Sequence, residues 1–222
     1  VQTTIHAPRS EQELLDRAGR LAGKTIAQAA AELGLVAPAD QRRNKGWTGQ
    51  LAEYYLGATA STLAEPDFQQ IGVELKTVPM SNPGHPAEST YVCTVSQSDI
   101  IGSRWETSIV RLKLSRVLWV PVESDKSVPY PQRRFGTAQL WSPGAEQESV
   151  LQNDWEEIME LVVTGSLDKV SSVQGRYLQM RPKAANAAAL GKAWSNEGIP
   201  TYTLPRGFYL RSSFTRTILG NK

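Results

Sequence analysis

Apolar residues recur at helical spacing three times before the first strand-like alternation in this chain. Ser10-Glu11-Gln12-Glu13 reads as a capping box, with Leu14, Leu15, Ala18, Leu21 and Ala22 forming a stripe and Gly23 as the stop. Thr25 to Gln28 repeats that signal and predicts a second helix through Leu33, closed by Gly34. Trp47, Leu51, Tyr54 and Tyr55 predict a third helix ending at Gly57. On its wheel Glu53 lies opposite these apolar residues, in company with Gly46 and Gly49, on a face suited to close approach by a ligand backbone. Small and polar residues over 58–66 predict a loop. Alternation then predicts strands over Ile71–Pro79 and Tyr91–Ser96, separated by the turn-rich Ser81-Asn82-Pro83-Gly84-His85-Pro86. The apolar run Arg116–Val122 is a further strand, and Cys93 reads as buried packing within its own.

In the second half, Val150, Leu151, Trp155, Ile158, Met159, Leu161 and Val162 set the buried side of a helix over Ala145–Val163. Arg176–Met180 and Gly207–Leu210 read as strands, with a helix over Lys183–Trp194 between them. The fold class expected is therefore α/β, of the mixed α+β kind. No internal repeat or linker divides the 222 residues, so a single domain with two lobes is expected.

Composition narrows the chemistry. With 40% apolar and 21% charged residues, neither a disordered chain nor a membrane protein fits. No stretch approaches the roughly 18 apolar residues of a spanning helix, and no secretory leader is visible, so a soluble cytoplasmic protein is expected. The single cysteine and the two histidines, His6 and His85, leave no disulfide framework, zinc ribbon or histidine-rich metal site. An enzyme with this composition works with carboxylates and lysines.

The net charge of +2 is unevenly spread: residues 176–222 carry eight basic residues against the single acid Glu197. Residues 146–168 carry seven acids and no lysine or arginine. A basic block interleaved with Tyr177, Trp194, Tyr202, Phe208, Tyr209 and Phe214 fits a phosphate-binding surface. It fits equally a solvated face balanced by the acidic helix before it.

The sharpest chemical signal lies in Pro66 to Lys76. With period two, Ile71, Val73 and Leu75 share the core face and Glu74 and Lys76 the other, with Asp67 at the strand's entry. Two carboxylates offer hard oxygen ligands to Mg²⁺, and the lysine can orient a water and stabilise charge on phosphorus. The same residues also fit an exposed ion pair worth at most about 1 kcal/mol. Lys113 is a further cation that can face such a site, and Arg181-Pro182-Lys183, between a strand and a helix, can direct two cations outward. Tyr209 has the opposite parity to Phe208 and Leu210 and is available to sense a methyl group on a base edge, or is simply a surface tyrosine.

Several strings together resemble the MutH family of mismatch-repair endonucleases, and more distantly a class of restriction enzymes. They are Asn44-Lys45-Gly46-Trp47-Thr48-Gly49, Glu53 with Leu56-Gly57-Ala58, Asp67-Phe68, and Gly72-Val73-Glu74-Leu75-Lys76-Thr77. Further on come Trp105-Glu106-Thr107-Ser108, Val117-Leu118-Trp119, Asp154-Trp155-Glu156-Glu157, Arg181-Pro182-Lys183-Ala184-Ala185-Asn186 and Leu204-Pro205-Arg206-Gly207-Phe208-Tyr209-Leu210. The resemblance implies a restriction-endonuclease-like core sheet flanked by helices, with two arms around a DNA cleft. It implies a monomeric, Mg²⁺-dependent enzyme that nicks the unmethylated strand of double-stranded DNA at hemimethylated GATC, is activated by a MutL-like protein, and has no membrane partner. Under it, Asp67, Glu74 and Lys76 are catalytic, with Glu53 and Lys113 in support, and Glu53, Asp67 and Glu74 are the metal ligands. Lys45, Gly46, Tyr91, Arg181, Pro182 and Lys183 contact DNA, and Tyr209 senses adenine methylation. The chain departs from the family pattern at Tyr91, where phenylalanine is usual, at Ile109 and Leu112, where histidines are common, and in the loop 59–66. The rivals are a restriction enzyme that cuts both strands and a DNA-binding module without catalysis.

Overall fold

Strand β1 (Glu74–Ser81) pairs in parallel with strand β4 (Val117–Glu123), from Glu74 opposite Val117 to Met80 opposite Glu123. A parallel pair needs a crossover, and the crossover here carries the first elements of a second compact unit. The computed structural model describes residues 5–41, 44, 46–60, 64–81, 84–95, 102–164, 173–183, 191–194, 200–203 and 205–220. One unit comprises Val1–Glu88, Ser115–Ser142 and Ile218–Lys222, and the other Ser89–Leu114 and Pro143–Thr217. Among the described residues no helix is long and apolar enough to cross a membrane.

The first unit holds a sheet of order β2-β1-β4-β5, with β2 (His85–Pro86) and β5 (Gln139–Trp141) antiparallel at its edges. Helices α1 (Glu11–Leu21), α2 (Ile26–Glu32) and α3 (Trp47–Leu56) belong to it. Their starts follow the capping signals. Ser10 Oγ accepts the Glu13 N–H at 3.2 Å, and Thr25 and Gln28 form a reciprocal capping box. Leu14, Ala18, Leu21, Ile26, Ala29, Leu51, Leu56, Phe68, Val73, Leu75, Leu118 and Phe135 form one buried cluster. Strand β4 is buried along Val117–Val120, as expected of a central strand covered on both faces.

The second unit holds an antiparallel sheet of order β3-β9-β6, formed by Thr90–Thr94, Arg206–Leu210 and Leu178–Pro182. Strands β7 (Gly191–Trp194) and β8 (Pro200–Thr203) form a separate hairpin. Helix α5 (Ala145–Val163) has the predicted bounds and buries Leu151, Trp155, Ile158, Met159 and Val162. Helices α4 (Ile109–Leu114) and α6 (Ser212–Gly220) and strands β5 and β8 are not among the elements expected from the sequence, although Phe214 and Ile218 of α6 are buried at helical spacing. The helix expected over Lys183–Trp194 is not formed as such. The Lys183 N–H donates to Pro205 O at 2.6 Å, continuing the β6–β9 ladder, and Gly191–Trp194 is a strand; residues 184–190 lie outside the described ones.

Helix α5 also buries an acid, Asp154, which its amphipathic pattern does not reveal. Its Oδ1 accepts the Arg176 N–H at 2.8 Å, and its Oδ2 accepts those of Tyr177 and Leu178 at 2.6 and 2.8 Å. From the other side, Arg211 Nε donates to Gly175 O and Nη2 to Gln174 O, both at 2.9 Å. The turn before β6 is thus gripped by a carboxylate on its N–H groups and a guanidinium on its carbonyls. Gly175 has φ of +78°, and a Cβ there would collide with Leu178 O and come within 3.2 Å of Asp154 Cγ. Replacing Asp154 by Ala strands three backbone donors and is expected to cost about 2–5 kcal/mol in chemical denaturation. Asp154→Asn should recover only part, because one amide oxygen replaces two carboxylate oxygens; a loss below about 1 kcal/mol for the alanine would refute the clamp.

Candidate active site and nucleic-acid interface

The Phe68 N–H donates to Val73 O at 2.9 Å, and the Val73 N–H returns to Phe68 O at 3.3 Å. This isolated bridge closes a tight turn through a 3₁₀ segment, Gln69–Ile71, with Gly72 left-handed at φ +63°. Strand β1 therefore begins at Glu74 rather than at Ile71, whose side chain lies in the turn and does not alternate with Val73 and Leu75. The bridge sets Asp67 and Glu74 as the next residues on its two arms. The Leu75 N–H donates to Asp67 Oδ2 at 2.8 Å, and Asp67 O accepts the N–H groups of Thr59 and Ala60 at 2.9 and 3.3 Å. Lys76 Nζ reaches Glu74 Oε1 at 2.5 Å.

Asp67 is 8% exposed, Glu74 2%, and the Lys76 side chain 12%. The reading of Glu74 and Lys76 as an exposed surface pair is thereby excluded. Dehydrating each ion costs several kcal/mol, so a structure gains little stability from charge kept here. Among the described residues no group of three or more His, Cys, Asp or Glu stands close enough to hold a metal ion. Asp67 and Glu74, on the two arms of the bridge, are the carboxylates placed at this strand start. Two carboxylates suit Mg²⁺, which keeps several waters and takes further ligands from substrate phosphate.

Glu53 sits on α3, half-buried. Gly49, one turn earlier on the same face, has its missing Cβ 3.6 Å from Thr77 Oγ1 of β1. That distance is ordinary van der Waals contact, and Gly46, Thr48, Gly49 and Thr77 line one cavity. The face of α3 that carries Gly49 and Glu53 is the one turned to β1, whereas Tyr54, expected in the core, is 37% exposed. Two hydroxyls fix the helix. Tyr55 donates to Glu32 Oε2 at 2.7 Å, and burial together with this bond pushes its pKa up to about 12. Tyr130 and Thr48 share a hydrogen bond of 2.7 Å; burial raises the Tyr130 pKa, and the bond opposes that shift. Gly46 caps α3 in the left-handed conformation with open space where a Cβ would stand, and Lys45 lies outside the described residues.

Lys113 belongs to the second unit, half-buried on α4. The Ser108 hydroxyl accepts the Arg111 N–H at 3.1 Å at the start of that helix. Asp67, Glu74 and Lys76 are linked through the Phe68–Val73 bridge and the Lys76–Glu74 ion pair, and Glu53 belongs to the same unit.

Tyr91, Arg181, Lys183 and Tyr209 converge on one face of the β3-β9-β6 sheet. Tyr91 stands opposite Tyr209, and Arg181 opposite Gly207. The two tyrosine rings meet edge to face, with centroids 5.4 Å apart. The Arg181 guanidinium lies 5.7 Å from the Tyr209 centroid and Lys183 Nζ 3.9 Å from that of Tyr91. Strand alternation sends Arg181 and Lys183 to this face, with exposed Pro182 between them. Leu178, Met180, Phe208 and Leu210 are buried on the reverse face.

Two members of this cluster went unnoticed in the sequence. A β-bulge shifts the register between Tyr91 and Cys93, so Thr94 pairs with Gly207 and joins the Tyr91 face at a spacing of three. Nothing in the local sequence marks it. Gly207 did leave a signal, a glycine inside a strand. A Cβ there would lie 3.0 Å from Cys93 O, 3.1 Å from Tyr91 Cε2 and 3.4 Å from Tyr209 Cε2.

A family model described as "DNA mismatch repair enzyme MutH" matches residues 56–154. Over 212 residues the chain is 50% identical to the DNA mismatch repair protein MutH of Vibrio parahaemolyticus, covering 96% of this chain and 94% of that one. Over 215 residues it is 50% identical to the proteins of the same name from Citrobacter koseri and Shewanella baltica, covering 97% of this chain and 94% and 96% of theirs.

Gly207→Ala should lower stability by about 1–3 kcal/mol through overpacking against the Tyr91 ring and Cys93 O. Tyr91→Ala in the same chain should recover part of that loss, because the nearest ring carbon goes. An unchanged denaturation midpoint for Gly207→Ala would show that the cluster has slack.

Proposed function

The chain belongs to the MutH family of DNA mismatch repair enzymes and is an endodeoxyribonuclease, and from that premise we propose that it nicks the unmethylated strand of double-stranded DNA at hemimethylated GATC with Mg²⁺. The observation that carries this reading is the buried Asp67–Glu74–Lys76 trio at the head of β1. In the proposal Asp67 and Glu74 hold the cation, and Glu53 supports them from α3. Bound there, Mg²⁺ lowers the pKa of a water and offsets charge building on phosphorus. Lys76, aligned by Glu74, orients the attacking water and donates to the transition state. Lys113 supports the site or a neighbouring phosphate. In-line attack leaves a 5′-phosphate and a 3′-hydroxyl.

Binding falls to the other residues. Lys45, Gly46, Tyr91, Arg181, Pro182 and Lys183 meet the duplex, where an arginine can read guanine bidentately and a lysine meets phosphate. Tyr209 stands against the adenine edge and discriminates the methyl group. The chain works as one endonuclease domain of two lobes, monomeric and cytoplasmic, and a MutL-like protein activates it.

The test is nicking of a plasmid with one GATC site, unmethylated, hemimethylated or fully methylated, with and without a MutL protein. Nicks confined to the unmethylated strand, abolished by EDTA and absent from fully methylated DNA, are expected. Glu74→Gln and Asp67→Asn should each lower the rate about 100-fold or more while leaving duplex binding in place. Double-strand cuts would make the protein a restriction enzyme, and binding without cutting in either arm would overturn the proposed cleavage.

A further inference from the structure

Lys183 does more on the second unit's sheet than lie over an aromatic ring. Its Nζ donates to Tyr91 Oη at 2.6 Å and to Thr94 Oγ1 at 3.1 Å, and those two oxygens share a hydrogen bond of 2.7 Å. The three groups close a ring. An ammonium has three protons and no acceptor, and each hydroxyl has one proton. Three of these five protons make the ring, which leaves one N–H and one O–H uncommitted within it. Both oxygens are neutral, so the ammonium keeps its full charge. Thr94 and Lys183 are exposed, and Tyr91 is half-buried. A fixed cation beside two uncommitted donors, on an accessible face with Arg181, is a receptor for an oxyanion.

We infer that Thr94 and the Tyr91 hydroxyl are positioning residues for Lys183, and that the ring they form receives one phosphodiester of the DNA backbone. The inference rests on the proposed function. An exposed lysine ordinarily wanders among many rotamers and loses that freedom when it meets a phosphate. Here two hydroxyls restrict it beforehand without neutralising it. The bulge in β3 makes this geometry, since regular alternation would put Thr94 on the opposite face from Tyr91. The Tyr91 oxygen is the key atom: phenylalanine would keep the aromatic face for the cation but remove two of the three links.

The experiment is a double-mutant cycle on equilibrium binding of a short duplex with one hemimethylated GATC, with Ca²⁺ replacing Mg²⁺ to hold back cleavage, over a range of salt. Lys183→Ala should weaken binding about 10-fold and lower the salt dependence by about one counterion. Thr94→Val and Tyr91→Phe should each weaken it about 3–5-fold, and those losses should shrink below about 1.5-fold once Lys183 is alanine. Thr94→Ser should bind like the parent. Unchanged affinity in Thr94→Val and Tyr91→Phe, or equal losses with and without Lys183, would overturn the inference. Lys183→Ala without effect would overturn it together with the reading that this face meets DNA. Absent nicking with the cycle intact would count against cleavage alone and support the phosphate site.

Discussion

A buried pair of acids at the start of a parallel strand constrains the whole first unit. Asp67 and Glu74 are drawn together by the Phe68–Val73 bridge, and neither is exposed enough for water to solvate its charge fully. The cost is offset locally by the Leu75 N–H on Asp67 and the Lys76 ammonium on Glu74. It also requires a rigid frame, because charges in a low-dielectric setting tolerate little misplacement. The parallel pairing with the apolar strand β4, and the anchoring of α3 through Tyr55 and Tyr130, supply that frame. An apolar trio at the same three positions would stabilise the fold at least as well. Retaining ions there makes sense for a site that acts on charged substrate.

The second unit handles charge in the opposite way. Arg181 and Lys183 stay at the surface, where they cost little, and tyrosine faces and hydroxyls restrict their directions. Polarity is thus divided between the units: low-dielectric carboxylates suited to chemistry in one, and solvated, ordered cations suited to holding an anionic polymer in the other. Gly207 and the bulge in β3 permit the second arrangement, one by leaving room beside the rings and the other by turning Thr94.

One device recurs. Asp67 takes the Leu75 N–H at the head of β1, and Asp154 takes three N–H groups at the head of β6. In both places a buried aspartate fixes where a strand begins, and that strand carries Glu74 and Lys76 in one unit and Arg181 and Pro182 in the other. Strand starts set parity, and parity decides which side chains share a face. A slip of one residue would turn either set away from its partners.

Local signals in the sequence determined helices α1, α2, α3 and α5, because capping boxes, glycine stops and apolar stripes act within a few residues. They also placed an acid-acid-lysine trio around one strand start and opposed Tyr209 to Phe208 and Leu210. Alternation alone could not find the beginning of β1, since the turn at Gln69–Ile71 continues the same hydrophobic period. Nor could it show that Gly49 faces Thr77, that Asp154 is buried, or that Lys183 extends a strand and not a helix. Only tertiary structure decided these points. Each depends on a partner distant in sequence, such as Thr77 for Gly49, Leu178 for Asp154, or Pro205 for Lys183, and residue spacing carries no information about such a partner until the chain has folded.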